Sequence, residues 1–293
     1  VETTVLRGKP IAAAIREGVA GRAAALAGRG AKPKLAIVMV GDDPGSAIYS
    51  KSLIKAAGKV GIDADLVAVP GGAPVDEVAG VIRSVDGDPG VTGIIVQQPL
   101  PKEIPQTVIE GVSPEKDVDC ATARSLGLLT AGAESFAPAT ALAVIEILAA
   151  SGIAIEGRHV VIVGRSTVVG RPLASLLLRK SDRGNATVTV CHTRTADVAA
   201  HTRRADIVVA AMGVPEAIRG DMISEGAVVV DVGTNRVEAP DTEKGYRIVG
   251  DVAYEEVLGR AAAVTPVPGG VGSLTTAILL RSTVEAGERR GPR

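Results

Sequence analysis

The chain has 293 residues, with 32 Lys and Arg against 33 Asp and Glu and a formal net charge of −1, so no broad basic field is available and nucleic acid is excluded as the main partner. Aromatic residues are 1%, too few for base-stacking platforms. Hydrophobic residues at 46% and charged residues at 22% suit a sizeable core, and the length suits two domains.

In chain order, residues 10–26 read as an amphipathic helix, with Ile11, Ile15, Val19 and Ala23 at four-residue spacing. Residues 34–40, KLAIVMV, read as a buried strand that stops at the breaker-rich turn Gly41-Asp42-Asp43-Pro44-Gly45. A helix over 46–60, a strand over 63–69, a helix over 74–85 and a strand over 93–97 follow, and Pro99 and Pro101 stop the last of these. Residues 114–138 read as a loop-rich end to the first domain, and 142–150 as a helix. The run His159 to Val163 is apolar enough for a strand buried on both faces. Further strands are expected over 186–191, 207–211, 227–232 and 262–265, and a helix within 271–285. Alternating β and α segments predict an α/β fold of parallel sheets covered by helices. The expected division is residues 1–140 plus 274–293 as one domain and 141–273 as a Rossmann-type dinucleotide-binding domain, with a cleft between them.

The central stretch runs from His159 to Leu178 as strand, glycine turn and helix, with Pro172 in the first helical turn, where its missing N–H costs nothing. Gly164, Arg165 and Ser166 form the turn, and Gly170 lets the helix lie close on the strand. The spacing Gly164-x-Ser166-x-x-x-Gly170 departs from G-x-G-x-x-G, and by itself fits a phosphate cradle and a plain β–turn–α crossover equally. The next strand ends Cys191-His192-Thr193-Arg194, without the acid that would bond a ribose 2′-hydroxyl. Thr193 and Arg194, with Arg165, offer a hydroxyl and cations to a 2′-phosphate instead, so NADP is expected over NAD. Four loops at strand C-termini could carry ligands: Asp42 to Tyr49, Gln97 to Pro101, Asp231 to Asn235 and Pro266 to Gly272. The last has Pro268, Gly269 and Gly270, a stiff approach and a bare backbone suited to a flat ligand or to a sharp turn. Cys120 and Cys191 give neither a disulfide framework nor metal spacing, which fits a reducing cytosol and no metal. No apolar run is long enough for a membrane span, and no charged segment precedes an apolar one at the start.

Taken in order, VGDDPGSAIY, VQQPLP, SPEKDVD, VGRSTVVGRP, DVGTN and TPVPGGVG give the chain a resemblance over nearly its whole length to the methylenetetrahydrofolate dehydrogenase/cyclohydrolase family. The resemblance implies a homodimer with folate in a cleft and NADP on the second domain. It implies hydride loss from the methylene carbon of 5,10-methylenetetrahydrofolate, then opening of the methenyl product by water. By the same resemblance Tyr49 packs on the folate rings, Gln97 assists at the reacting carbon, Asp119 holds the pterin edge, and Pro268, Gly269 and Gly270 line the substrate site. Gly164, Arg165, Ser166, Thr193, Arg194, Gly233 and Thr234 are assigned to NADP.

The chain departs from the family pattern Y-x-x-x-K-x-K. It reads Tyr49-Ser50-Lys51-Ser52-Leu53-Ile54-Lys55, so Leu53 stands where the family has its acid/base lysine. Leu53 shares a helix face with Tyr49, while Lys51 and Lys55 lie about 200° around the helix from it. Cys120 replaces a glycine, Pro138-Ala139-Thr140-Ala141 replaces P-C-T-P, and Ser273 replaces a proline. The expected activity is therefore an NADP-dependent methylenetetrahydrofolate dehydrogenase with weak or lost cyclohydrolase. The alternatives are an oxidoreductase of the same fold acting on another cyclic imine or iminium compound, a fully bifunctional enzyme, and a silent nucleotide- or folate-binding protein.

Overall fold

A computed structural model of the chain describes residues 2–240, 242 and 245–290. The elements, in order, are β1 (Thr4–Val5), α1 (Gly8–Ala27), β2 (Lys34–Val40), α2 (Pro44–Lys59), β3 (Asp63–Val69), α3 (Val75–Gly87), β4 (Gly93–Val96), α4 (Ala123–Thr130), α5 (Ala139–Ala150) and β5 (His159–Val163). They continue with α6 (Gly170–Leu177), β6 (Thr187–Cys191), α7 (Val198–Thr202), β7 (Ile207–Ala210), β8 (Val228–Asp231), β9 (Asn235–Glu238), β10 (Tyr246–Val249), α8 (Tyr254–Val257), β11 (Ala263–Val264) and α9 (Thr275–Arg289). The chain divides into two compact units, Ala13–Pro138 with Thr276–Arg293, and Val1–Ala12 with Ala139–Thr275.

The first unit has a parallel three-stranded sheet in the order β3-β2-β4. β2 is central, and six of its seven residues are buried, which is why it reads as an unbroken apolar run. The chain steps from β2 to β3 on one side and to β4 on the other, so it reverses direction across β2. Such a reversal opens a crevice beyond the strand C-termini, and ligands bind there in open α/β sheets. Gln97 follows β4 at that end, and α2 starts there.

The second unit has a six-stranded sheet in the order β1-β11-β8-β7-β5-β6, with every pairing parallel. Val160, Val161 and Ile162 of β5 are fully buried, each side chain contributing roughly 1.5–3 kcal/mol. β6 and β7 flank β5 on opposite sides, so the reversal here lies at the ends of β5 and β7. β9 and β10 form a separate antiparallel pair.

The sequence reading differs from the structure in several places. Residues 1–12, read as part of the first domain, group with the second unit, because Thr4 and Val5 pair with Ala263 and Val264. Two residues of strand give too short a pattern to recognise. The passage 114–138 contains α4, capped by Thr122, whose hydroxyl accepts from the Ser125 N–H. In α1 the buried side chains are those of Ala12, Val19, Ala23 and Leu26, while Ile11 and Ile15 are half-buried. The helix read from 167 begins at Gly170, because the Ser166 hydroxyl accepts from the Val169 N–H at 3.0 Å and holds 167–169 in a turn. The helix read within 271–285 is a 3₁₀ turn over Val271–Ser273 followed by α9.

Candidate functional site

In the first unit, α2 is built to start at the sheet's C-terminal end. Pro44 fits the first turn, and Asp43 caps the helix by accepting from the Ser46 N–H at 2.8 Å. That bond holds the Asp43 carboxyl below its ordinary range. Ser46 in turn donates to the carbonyl of Gln98 at 3.0 Å, tying the helix to the strand end that carries Gln97. Gln97 is 9% exposed, and its Nε2 has no hydrogen-bond partner among the described residues. Ser50 is fully buried on α2 with its hydroxyl in the same condition.

One turn along α2, Tyr49 is 39% exposed and Leu53 only 1%. The Tyr49 hydroxyl titrates above the ordinary phenol range, first because of burial at its hydroxyl end and then because of the Asp119 charge; a hydrogen bond with Thr276 opposes both. Tyr49, Asp119 and Thr276 are therefore neighbours. Lys51 and Lys55 are exposed, on a different side of α2 from Leu53.

Asp119 sits on a turn shaped by Asp117, whose carboxylate accepts from Ala121 N–H at 2.9 Å, Thr122 N–H at 3.0 Å and Thr122 Oγ1 at 2.8 Å. The next residue, Cys120, is buried with φ of 52°, a left-handed conformation that costs a residue with a Cβ about 1–2 kcal/mol and costs glycine nothing.

In the second unit, Gly164 has φ of 139°, and a Cβ there would overlap the carbonyl oxygen of Ala211 at the end of β7. A Cβ on Gly170 would overlap the Gly164 carbonyl, so the helix start lies against the turn. Arg165 and Ser166 are exposed at this turn, and Thr193 and Arg194 are exposed where the adjacent strand β6 ends. The fit to a dinucleotide is the one glycines permit: backbone approaching closely at the sheet reversal, with cations beside it.

Gly233, Thr234, Pro268, Gly269 and Gly270 line one cavity of about 260 Å³. The sequence assigned the first two to cofactor and the last three to substrate; the structure brings both sets to the same wall. Asp231 and Asp251 are buried acids at 3% and 0% exposure; the sequence reading included Asp231 in a ligand loop without marking it as buried, and missed Asp251. Asp231 stands in the DVGTN motif, but nothing local marks Asp251 as its partner.

Residues 6–119 match the model of the tetrahydrofolate dehydrogenase/cyclohydrolase catalytic domain, and residues 138–291 match the model of its NAD(P)-binding domain. The chain belongs to the tetrahydrofolate dehydrogenase/cyclohydrolase family. It is 50% identical over 285 residues to bifunctional protein FolD of Natronomonas pharaonis, covering 97% of this chain and 96% of that one. Among solved structures it superposes on the bifunctional FolD of Campylobacter jejuni with a TM-score of 0.92 at 41% identity, covering 98% and 99% of the two chains. The FolD of Trypanosoma brucei, solved with NADP and an inhibitor, gives a TM-score of 0.90 at 36% identity and 99% coverage of both. This family member is thus an enzyme of two α/β units, one of them the NAD(P)-binding domain. No helix among its described residues is long and apolar enough to cross a membrane.

Proposed function

We propose that this protein oxidises 5,10-methylenetetrahydrofolate with NADP and hydrolyses the methenyl product slowly or not at all. What supports the second half is Leu53, buried one turn from Tyr49 where the resemblance puts the family's lysine. In this reading the unit built on β2 holds the folate, and the unit built on β5 holds the nucleotide.

Asp119 accepts from the amino-pyrimidine edge of the substrate, and Tyr49 packs on its rings. Gln97 turns its unpaired Nε2 toward the reacting carbon; a buried donor without a partner costs about 1–3 kcal/mol, which a substrate acceptor removes. Gly164, Arg165, Ser166, Thr193 and Arg194 hold NADP, with Gly233 and Thr234 beside the cavity. When bound, NADP supplies the hydride acceptor. The protein's own part in that step is alignment, which needs no proton carrier. Opening the methenyl ring with water does need one, and a positioned acid/base is worth about 10²–10⁴-fold. Leucine supplies none.

Following methenyl and formyl products separately with the purified protein, methylenetetrahydrofolate and NADP tests the reading. Methenyl product accumulates, and formyl product forms little faster than in buffer. Fast formyl production would mean another group replaces the lysine and the enzyme is bifunctional. Normal NADP binding with no folate turnover would move the substrate to another cyclic imine, a reading favoured by Cys120 beside Asp119. A homodimer in a reducing cytoplasm completes the proposal, supported by free buried Cys120 and Cys191 and by Val190, 38% exposed on the outer strand β6. Light scattering measures the dimer directly.

A further inference from the structure

Two carboxylates with no part in the proposed chemistry meet behind the cavity of the second unit. Asp231 ends β8, and Asp251 follows β10. Buried carboxylates need their oxygens satisfied, because desolvation otherwise drives them to neutralise. Asp231 Oδ1 accepts from the backbone N–H groups of Gly233 and Asp251, both at 2.9 Å, and Oδ2 accepts from Val252 at 3.0 Å. Asp251 Oδ2 accepts from the N–H groups of Met212 at 2.6 Å and Gly213 at 2.8 Å, and Oδ1 accepts from Asn235 Nδ2 at 2.8 Å.

These six donors are neutral; five belong to the loops following β7, β8 and β10, and the sixth, Asn235, opens β9. The loops converge so tightly that a Cβ on Gly233 would overlap the Asp251 carboxylate and one on Gly250 the Asp231 carboxylate. Ala211, which precedes Met212, is the residue whose carbonyl abuts the Gly164 turn. A chain of contacts therefore runs from Asp231 through Asp251 and Met212 to the turn assigned to phosphate.

We propose that Asp231 and Asp251 form one brace, positioning residues that fix the loops at Met212–Gly213, Gly233–Asn235 and Gly250–Val252 for the dinucleotide. This rests on the assignment of Gly164, Gly233 and Thr234 to NADP. Only a carboxylate suits either place, since it accepts several bonds and donates none. Asparagine at Asp231 would turn an N–H against a backbone N–H, and at Asp251 it would turn one against the Asn235 amide.

The brace is sensitive to protons. Burial pushes the Asp231 carboxyl up to about 6; its three backbone donors pull it down, and the Asp251 charge pushes it up. Among the described residues, the ionisable side chains that line a cavity of about 400 Å³ with Asp231 are Glu216, Arg247, Tyr254, Glu255 and Glu256. The folded state holds this proton more tightly than the unfolded chain. Protonation therefore stabilises fully below the ordinary carboxylate range, and that contribution disappears as pH rises through about 6. Above that the brace is anionic and holds its loops by charge-assisted bonds.

Amide NMR of the full chain across that range, with calorimetry of NADP above it, tests the proposal. The N–H signals of Gly233, Asp251 and Val252, which bond Asp231, should titrate with one midpoint near 6, and those of Met212 and Gly213 should follow the Asp231 curve because the loops move together. In Asp251→Asn the Gly233 midpoint should fall, because the neighbouring charge is gone, and the NADP Kd should rise about 10-fold or more. Separate midpoints, no titration, or an unchanged Kd overturn the brace. If Asp251→Asn does not fold, the titration of the unaltered protein decides alone. NADP that binds without shifting Gly233 and Thr234 overturns the cofactor assignment and the positioning role with it, while a shift leaves the brace to its own result.

Discussion

Two pairs of buried polar groups, one pair in each unit, behave in opposite ways. In the nucleotide unit Asp231 and Asp251 are saturated by six N–H donors from their own chain. In the other unit Gln97 Nε2 and Ser50 Oγ are buried without a partner among the described residues. Saturation fixes loop geometry before a ligand arrives, and an unpaired donor keeps its bond for one. The departures read from the sequence fall in both units: Leu53 and Cys120 in the one with the unpaired groups, and Ala139, Ala141 and Ser273 in the other, where the Gly164 turn keeps its close approaches.

The largest test of this contrast is Leu53→Lys. If the folate unit is otherwise complete, the substitution restores a proton carrier and raises formyl production by about 10²–10⁴-fold in a cyclohydrolase assay. No gain would mean that the pocket has been rebuilt beyond one residue. Arg165→Glu acts on the nucleotide unit and should weaken NADP about 10–100-fold more than NAD, as loss of a charge-assisted bond would. Equal loss for both cofactors by calorimetry would remove Arg165 from the 2′-phosphate.

Asp119→Ala should cost about 1–3 kcal/mol in kcat/KM for the folate while NADP affinity holds. A matching loss of NADP affinity would mean that the carboxylate serves the wrong ligand for this contrast. The smallest effect is expected outside both sites. Arg22 and Glu288 pair with side chains 38% and 39% exposed, where solvent screens the charges, so Glu288→Ala should cost about 1 kcal/mol or less in denaturant unfolding and leave turnover unchanged.

Local chemistry made much of this protein legible in its sequence. β2 and β5 were readable because a strand buried on both faces must be a run of apolar residues, while α2 was read two residues short because Asp43 and Pro44, its cap and first residue, read as part of a turn. The Gly164 turn was legible as a turn, and Leu53 as a neighbour of Tyr49, because helix periodicity alone puts residues four apart on one face. What lay beyond the sequence were contacts made by distant segments. β1 joins the second sheet because β11 offers it an edge, and two residues carry no period that could announce it. Gly233 and Pro268 meet at one cavity only because β8 and β11 are sheet neighbours. Asp231 opens a loop that the sequence marks for a ligand, while nothing local distinguishes Asp251 from a surface acid. The pairing of β9 with β10 returns the chain, and the fold then buries both carboxylates against each other's loops. Periodicity reports which face of an element is dry, whereas the partner on that face is set by how the sheet is threaded.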